Sequence, residues 1–515
     1  MENTDKLGIW RLTAIVFGSV IGGSIFNIAQ NMAHGAALGA VLCAWGLTGV
    51  GILFLVVTFQ RLCAIHPELK AGIYQYAQVG FGNYAGFNMA WGYWLCVIFG
   101  NVTYAVLLND SIGAFVPAFL EHGWLTFLFG TALIWVIYYI VTRGIRQASY
   151  VNTLLSILKF ACIVFILVIL SVYAKLGMFS LDFWGRLSPS LGSFGSQVSS
   201  CMLVTIWSFL GIEGAVMMSA RAKKHSDVSK ATMHGFLYAL ALYVLVTLLC
   251  FGVMTQQELA GLPTPSLAYV LDSCAGHWAK WFVVISIIIS VAGGFIAWSL
   301  LCAQVPYEAA QVKIFPEKFL SVNRHGVPDF GMIVASVAET LCLLLVITAE
   351  NVYLAAVNLA SMMVLPCYFF CGLYLLKIAV GRRRDGEGQD IRGTVGCKPT
   401  ATIGELTVTM GEPIVTGQEK TSAWRKWALV FVAVMTMVYC GYSMWAGSLW
   451  LLMLTSVFYL AGTPFLVMAR RQCQDSLTCS RPTLRRGEMA VFFVMLALSV
   501  VSVWMLCTGS IALDG

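Results

Sequence analysis

Thirteen apolar runs divide this chain, at approximately 9–33, 36–60, 84–108, 124–141, 151–173, 194–220, 230–252, 279–304, 330–348, 351–376, 426–446, 448–469 and 488–508. A run of about 20 apolar residues is long enough to cross a bilayer core as a helix. Backbone groups inside lipid must be satisfied within their own segment, which leaves helices or closed barrels. Runs of this length without period-2 alternation are helical, so the expected class is an all-α polytopic membrane protein. The composition excludes an ordinary soluble domain: 59% of residues are apolar, 11% are charged and mean hydropathy is +0.82. The first run lacks a small-residue cleavage signature and is read as a retained span.

Charge sets the expected orientation. Of the 31 Lys and Arg, 27 fall in the N-terminal segment or in loops after even-numbered spans. The positive-inside rule then places the N-terminus in the cytoplasm and, with an odd span count, the C-terminus outside. The clusters Arg221-Ala222-Lys223-Lys224, Arg382-Arg383-Arg384 and Arg470-Arg471 read as topology anchors, and the net charge of +7 carries no nucleic-acid reading. The 16 Cys are scattered, without CxxC or metal-ligand spacing. Cys367 and Cys371 share a helix face as packing residues. The seven His form no HExxH and no cluster. No cofactor, metal centre or catalytic group is expected.

Two spans are interrupted. The first carries Gly18-Ser19-Val20-Ile21-Gly22-Gly23-Ser24; the second carries Trp207-Ser208-Phe209-Leu210-Gly211-Ile212-Glu213-Gly214. Unwound backbone at membrane depth survives only where protein buries it or it lines a cavity. Interrupted spans at corresponding places in two halves are the best sequence pointer to the binding site of a secondary transporter. Free amides of the first break suit a carboxylate. Carbonyls and Glu213 of the second suit a cation such as an α-amine. The pair describes an amino acid.

Spans one to five and six to ten read as two halves, each opening on its broken helix. Repeats of five spans insert with opposite orientations, as an inverted-topology repeat requires. Residues 1–380 are expected to form this ten-helix core and 381–423 a polar, disordered cytoplasmic insertion. Residues 424–515 follow as peripheral helices. The loop over 61–83 is expected to carry a short interfacial helix.

The pattern resembles the amino acid–polyamine–organocation superfamily, and within it the basic amino acid/polyamine antiporters typified by arginine–ornithine and arginine–agmatine exchangers. The motifs are Phe17 to Phe26 followed by Gln30-Asn31-Met32-Ala33, Trp207 to Ala215 leading to Ala222-Lys223-Lys224, and Asn323 to Pro328. The resemblance implies a LeuT-like five-plus-five inverted repeat with extra C-terminal helices, 12–13 in all. By resemblance, Ile21, Gly22, Gly23 and Ser24 supply main-chain donors to a substrate carboxylate, and Cys96, Asn101 and Leu210 line the same site. Trp207 resembles the aromatic gate over substrate, and Trp298 the indole facing a cationic side chain. Glu213 matches the acid that couples substrate to protonation. Lys159 matches the lysine that replaces sodium in sodium-independent relatives. Glu339, the other deep acid, is read as a structural pairing. Two departures stand out: Ser24 replaces the third glycine of the break, and Ala29 replaces the usual proline.

The expected function is therefore antiport of a basic amino acid (arginine, ornithine or lysine-like) against a related amino acid or its amine product, in the inner (cytoplasmic) membrane. The alternatives are a proton-coupled amino acid symporter and an exchanger for another pair such as histidine and histamine. Partners are the small-molecule substrate and membrane lipid. Relatives often form homodimers, although no interface is legible in this chain.

Overall fold

A computed structural model describes residues 8–69, 71–121, 123–143, 145–213, 225–347, 351–381, 423–474 and 486–508. Its helices, in order, begin with α1 (Ile9–Val20), α2 (Ile28–Ala33), α3 (Leu38–Ile65), α4 (Tyr74–Phe81) and α5 (Asn83–Gly113). Next come α6 (Trp124–Thr142), α7 (Ile145–Tyr173), α8 (Phe194–Ser200), α9 (Met202–Ser208), α10 (His225–Val253), α11 (Gln256–Ala260) and α12 (Ser266–Ala275). The chain continues through α13 (His277–Gln311), α14 (Asp329–Val346), α15 (Val352–Gly381), α16 (Ala423–Ala446), α17 (Leu449–Ala461), α18 (Thr463–Gln474) and α19 (Arg486–Cys507). Among the described residues, nine helical segments are long and apolar enough to cross a membrane uninterrupted.

The two halves repeat in backbone conformation as well as in element order. In the first half the short α4 ends at Gly82, with φ +96° and ψ 175°, and the long α5 starts from it. In the second half the short α12 ends at Gly276, with φ +86° and ψ −180°, and the long α13 starts from it. A positive φ costs glycine little and any side chain much more. The same device therefore turns the chain at the same place in each half. α1, the first break and α2 precede it in the first half, and α9 with the unwound stretch from Phe209 precedes it in the second; a full-length helix (α3, then α10) lies between.

The expected short helix over 61–83 is α4, which buries one face and leaves Val79 and Phe81 exposed. Tyr74 and Tyr76 of α4 are fully buried. The Tyr74 hydroxyl donates to the Val305 carbonyl at 3.3 Å, and Lys377 donates to the Gly80 carbonyl from α15. Two tyrosines in eight residues give α4 an aromatic face: Tyr74 reaches α13, and Tyr76 stacks on Tyr374 of α15 with ring centroids 6.1 Å apart. The Asn323 motif is a closed turn: its Oδ1 accepts from the amides of His325 and Val327 at 2.9 and 3.1 Å. Its Nδ2 donates to the Thr142 carbonyl at 2.8 Å, joining the α13–α14 loop to the end of α6.

α5 is buried along nearly its whole length and packs against α15 and α13. α16 packs on α15 and α3, where Thr58 and Thr436 share a 2.9 Å hydrogen bond. The expected twelfth span is one apolar segment, Leu449–Gln472, with a turn at Gly462, where a side chain would collide with Trp91. Gly381 closes α15 and Ala423 opens α16, so the expected insertion narrows to 382–422, outside the described residues. The Arg221–Lys224 and Arg382–Arg384 clusters and Gly214 also lie outside them.

Candidate substrate site

α1 stops at Val20 because Ile21 and Gly22 leave helical geometry, at φ −81°, ψ 91° and φ −102°, ψ −143°. A 3₁₀ turn over Gly23–Phe26 follows, then α2. The glycines admit close approach: a methyl group on Gly22 would lie 2.7 Å from the Tyr104 hydroxyl, and one on Gly23 2.7 Å from Leu107. The backbone bonds narrow the expected donor set. The Ile21 amide bonds Phe17 O and the Gly22 amide bonds Val20 O, both at 3.0 Å. Gly23 and Ser24 begin the turn, and the first amides of a helical turn take no acceptor from it. Those two are the donors best placed for an anion.

The carbonyls freed at the same break are held from α7. Lys159, buried, donates through Nζ to the carbonyls of Gly18, at 3.0 Å, and of Ile21. An ammonium carries three donors and needs acceptors when desolvated, and a broken helix end provides them. The Ser24 hydroxyl is committed as well. It shares a 2.6 Å hydrogen bond with the Tyr243 hydroxyl, which donates to Val20 O at 3.0 Å, so Ser24 is the donor of the pair. Where Ser24 departs from the family glycine, its side chain therefore pins the unwound turn to α10.

The second break tightens through amides reaching back three residues, Phe209 to Ile206 O and Leu210 to Trp207 O. It then passes Gly211 at φ +96°. The breaks touch here: Ser19 Oγ donates to Gly211 O at 3.0 Å, and a side chain on Gly211 would lie 3.0 Å from Ser19 O. Glu213 is 2% exposed and clamped by two tyrosines. Tyr93 donates to Oε1 at 2.6 Å from α5, and Tyr368 to Oε2 at 3.0 Å from α15. When Glu213 is ionised these two bonds are charge-assisted, a kind about twice as strong as neutral ones. Leu210 is buried.

Between the breaks stands an aromatic triad. Trp207 and Trp298 have ring centroids 5.5 Å apart, and Tyr104 lies 5.8 Å from Trp298 and 6.5 Å from Trp207. Gly100 of α5 makes room for it, since a methyl group there would meet the Trp298 ring at 2.4 Å. Tyr93, Cys96, Gly100, Tyr104 and Leu107 form one stripe of α5 at spacings of three and four residues, the stripe that faces both breaks. Cys96 is buried on it.

Asn101 stands off that stripe. Its Nδ2 donates to Glu339 Oε1 at 2.7 Å, with Ser299 Oγ at 3.3 Å and Cys302 Sγ at 3.4 Å. It therefore points into the seam of α5, α13 and α14 rather than at the breaks. Glu339 also accepts from Cys302 Sγ at 3.4 Å. Tyr93, Tyr104, Tyr243 and Tyr368 are absent from the sequence-based set. Extending the helical spacing from Cys96 along span three would have found the first two. Nothing in the sequence marks Tyr243 or Tyr368.

Two interrupted helices meeting at a buried acid, a buried lysine and an aromatic triad define a polytopic membrane protein built as a secondary transporter. A family model described as amino acid permease matches residues 7–440. The arginine/agmatine antiporter of Chlamydia felis is 34% identical over 508 residues, covering 97% of this chain and 98% of that protein. That of Chlamydia trachomatis serovar D is 43% identical over 383 residues, covering 74% and 79%. That of Chlamydia abortus is 41% identical over 393 residues, covering 75% and 81%. Among solved structures, the substrate-bound outward-open state of a Na+-coupled sialic acid symporter is similar with a TM-score of 0.49 and 11% identity, covering 87% of this chain and 90% of that one. The chain belongs to the amino acid permease family of the amino acid–polyamine–organocation superfamily.

Proposed function

We propose that this protein is an antiporter exchanging a basic amino acid, arginine foremost, for a related amino acid or its decarboxylated amine by alternating access. The observation that carries the reading is the meeting of the two breaks: free amides at Gly23 and Ser24 on one side, Glu213 and the Trp207–Trp298 pair on the other. In this reading the α-carboxylate takes the amides, and the positive end of the first 3₁₀ turn adds to the attraction. The α-amine lies toward the second break. The distal cation lies against Trp298, where cation–π attraction supplies ~0.5–2 kcal/mol and more when desolvated. Names carried by the chlamydial relatives support arginine and agmatine as the pair to try first.

Trp207 closes over substrate and Glu213 couples binding to protonation in this mechanism. Lys159 puts its ammonium among the carbonyls of the first break and thereby does electrostatically what a sodium ion would do there. The inner membrane, a cytoplasmic N-terminus and a linker role for 382–422 complete the proposal. An exchanger returns only when loaded, so its empty state interconverts slowly. Purified full-length protein in liposomes should take up labelled arginine only when the lumen holds arginine, ornithine, lysine or agmatine. Uptake into empty liposomes driven by a proton gradient alone would establish the symporter instead.

A further inference from the structure

Three buried polar groups on three different elements close no hydrogen bond among the described residues: Trp207 Nε1, Asn27 Nδ2 and the Tyr353 hydroxyl. Trp207 lies in the last turn of α9, Asn27 joins the first 3₁₀ turn to α2, and Tyr353 lies in the first turn of α15. They are 4, 0 and 1% exposed. The Tyr353 hydroxyl faces both of the others. Buried polar groups without partners cost free energy, so a set of three that face one another calls for an explanation.

Their chemistry is complementary. An indole N–H only donates. Asn27 Oδ1 accepts from the Ser266 amide at 2.8 Å, and a backbone amide cannot accept, so the flip of Asn27 is fixed with its NH2 toward Tyr353. A hydroxyl oxygen has two lone pairs and can take both donors at once. The three groups also belong to the first break, the second break and α15, which packs on α9. In the proposed orientation α15 enters from the outer face, so Tyr353 stands near the external mouth of the site. We propose that Tyr353 is a positioning residue, the latch of the external gate: its hydroxyl accepts from Trp207 Nε1 and Asn27 Nδ2 when Trp207 closes over substrate, tying the second break to the first. This rests on the gate reading of Trp207 above and deepens it. Tyr353 does not touch substrate and acts through the indole.

The test is the rate at which labelled arginine leaves purified full-length protein when unlabelled arginine is added in excess. Tyr353→Phe removes one oxygen and should release arginine about tenfold faster, equivalent to about 1.4 kcal/mol and within what two neutral hydrogen bonds contribute. Trp207→Phe has no N–H to latch, so in that background Tyr353→Phe should add only the loss of the Asn27 bond, about threefold. Tyr459→Phe is the control: its hydroxyl donates to Met363 O of α15 at 3.0 Å, away from the gate, and its loss should leave release at the wild-type rate. The full tenfold in the Trp207→Phe background would mean that Tyr353 holds the ligand itself, and equal acceleration by Tyr459→Phe would mean a general loosening of α15; either result overturns the latch. Faster release from Trp207→Ala with wild-type release from Tyr353→Phe would overturn the latch and leave the gate standing. Wild-type release from Trp207→Ala would overturn the gate reading, and a wild type that binds no arginine the substrate reading, each taking this inference with it.

Discussion

Gly211→Ala is the most exacting perturbation of the contact between the two breaks. Gly211 sits at φ +96°, where an added methyl group would lie 3.0 Å from Ser19 O and 3.2 Å from its carbonyl carbon. Both neighbours are backbone, so neither can rotate aside. Left-handed backbone costs an alanine about 1–2 kcal/mol, and the close contact adds to it. At about 1.4 kcal/mol per tenfold, the arrangement in which Ser19 Oγ bonds Gly211 O should lose roughly tenfold or more in population. If substrate is held where the breaks meet, exchange by purified protein in preloaded liposomes should slow correspondingly, with normal amounts of protein reconstituted. Gly18→Ala is the paired control. Gly18 lies inside α1 with nothing within 4 Å of an added methyl group, and alanine favours a helix interior over glycine by about 0.5–1 kcal/mol. It should exchange like wild type. Wild-type exchange by Gly211→Ala, or equal damage from Gly18→Ala, would refute the reasoning and make the glycines ordinary packing residues.

Trp207→Phe should retain much of the exchange that Trp207→Ala loses, because a smaller ring still closes against Trp298; equal rates for wild type and both variants would remove Trp207 from the gate. Glu213→Gln should flatten the pH dependence of exchange while leaving membrane expression intact, since its carbonyl still accepts from one tyrosine and its NH2 can donate to the other hydroxyl, but it cannot ionise. An unchanged profile would take Glu213 out of coupling. Tyr243→Phe should lower thermal stability by about 1 kcal/mol, measured as unfolding of the detergent-solubilised protein, because Ser24 and Val20 O lose a buried partner. Ser24→Gly in that background should then cost little more.

What the sequence reveals follows from how each feature is encoded. Apolar length announces the helices, and glycine within apolar runs announces the breaks, so Gly22, Gly23 and Gly211 are legible one by one. Buried charge is legible because it is rare in lipid, which brings out Glu213, Lys159 and Glu339. The tyrosines are not legible: an apolar ring with one hydroxyl fits lipid interfaces, packing and hydrogen-bond clamps equally well. Tyr368 meets Glu213 across 155 positions of chain, a pairing no local pattern carries. Asn101 shows the limit of resemblance. Its residue type and span are those of a pocket residue, but the acid at Glu339 draws its amide into the neighbouring seam. α4 shows the limit of local pattern: Pro67, Gly72, Gly80 and Gly82 mark a loop with a short helix, but nothing in them says that Tyr74 and Tyr76 turn inward to α13 and α15.

The most direct measurement is the structure of the full-length protein with arginine bound. The account predicts the α-carboxylate within hydrogen-bonding distance of the Gly23 and Ser24 amides, Trp207 over the ligand and the guanidinium on the face of Trp298. Arginine bound elsewhere would contradict it, for example in the cavity of about 270 Å³ lined by Met178, Asp182 and Gln256, with the triad of Tyr104, Trp207 and Trp298 undisturbed.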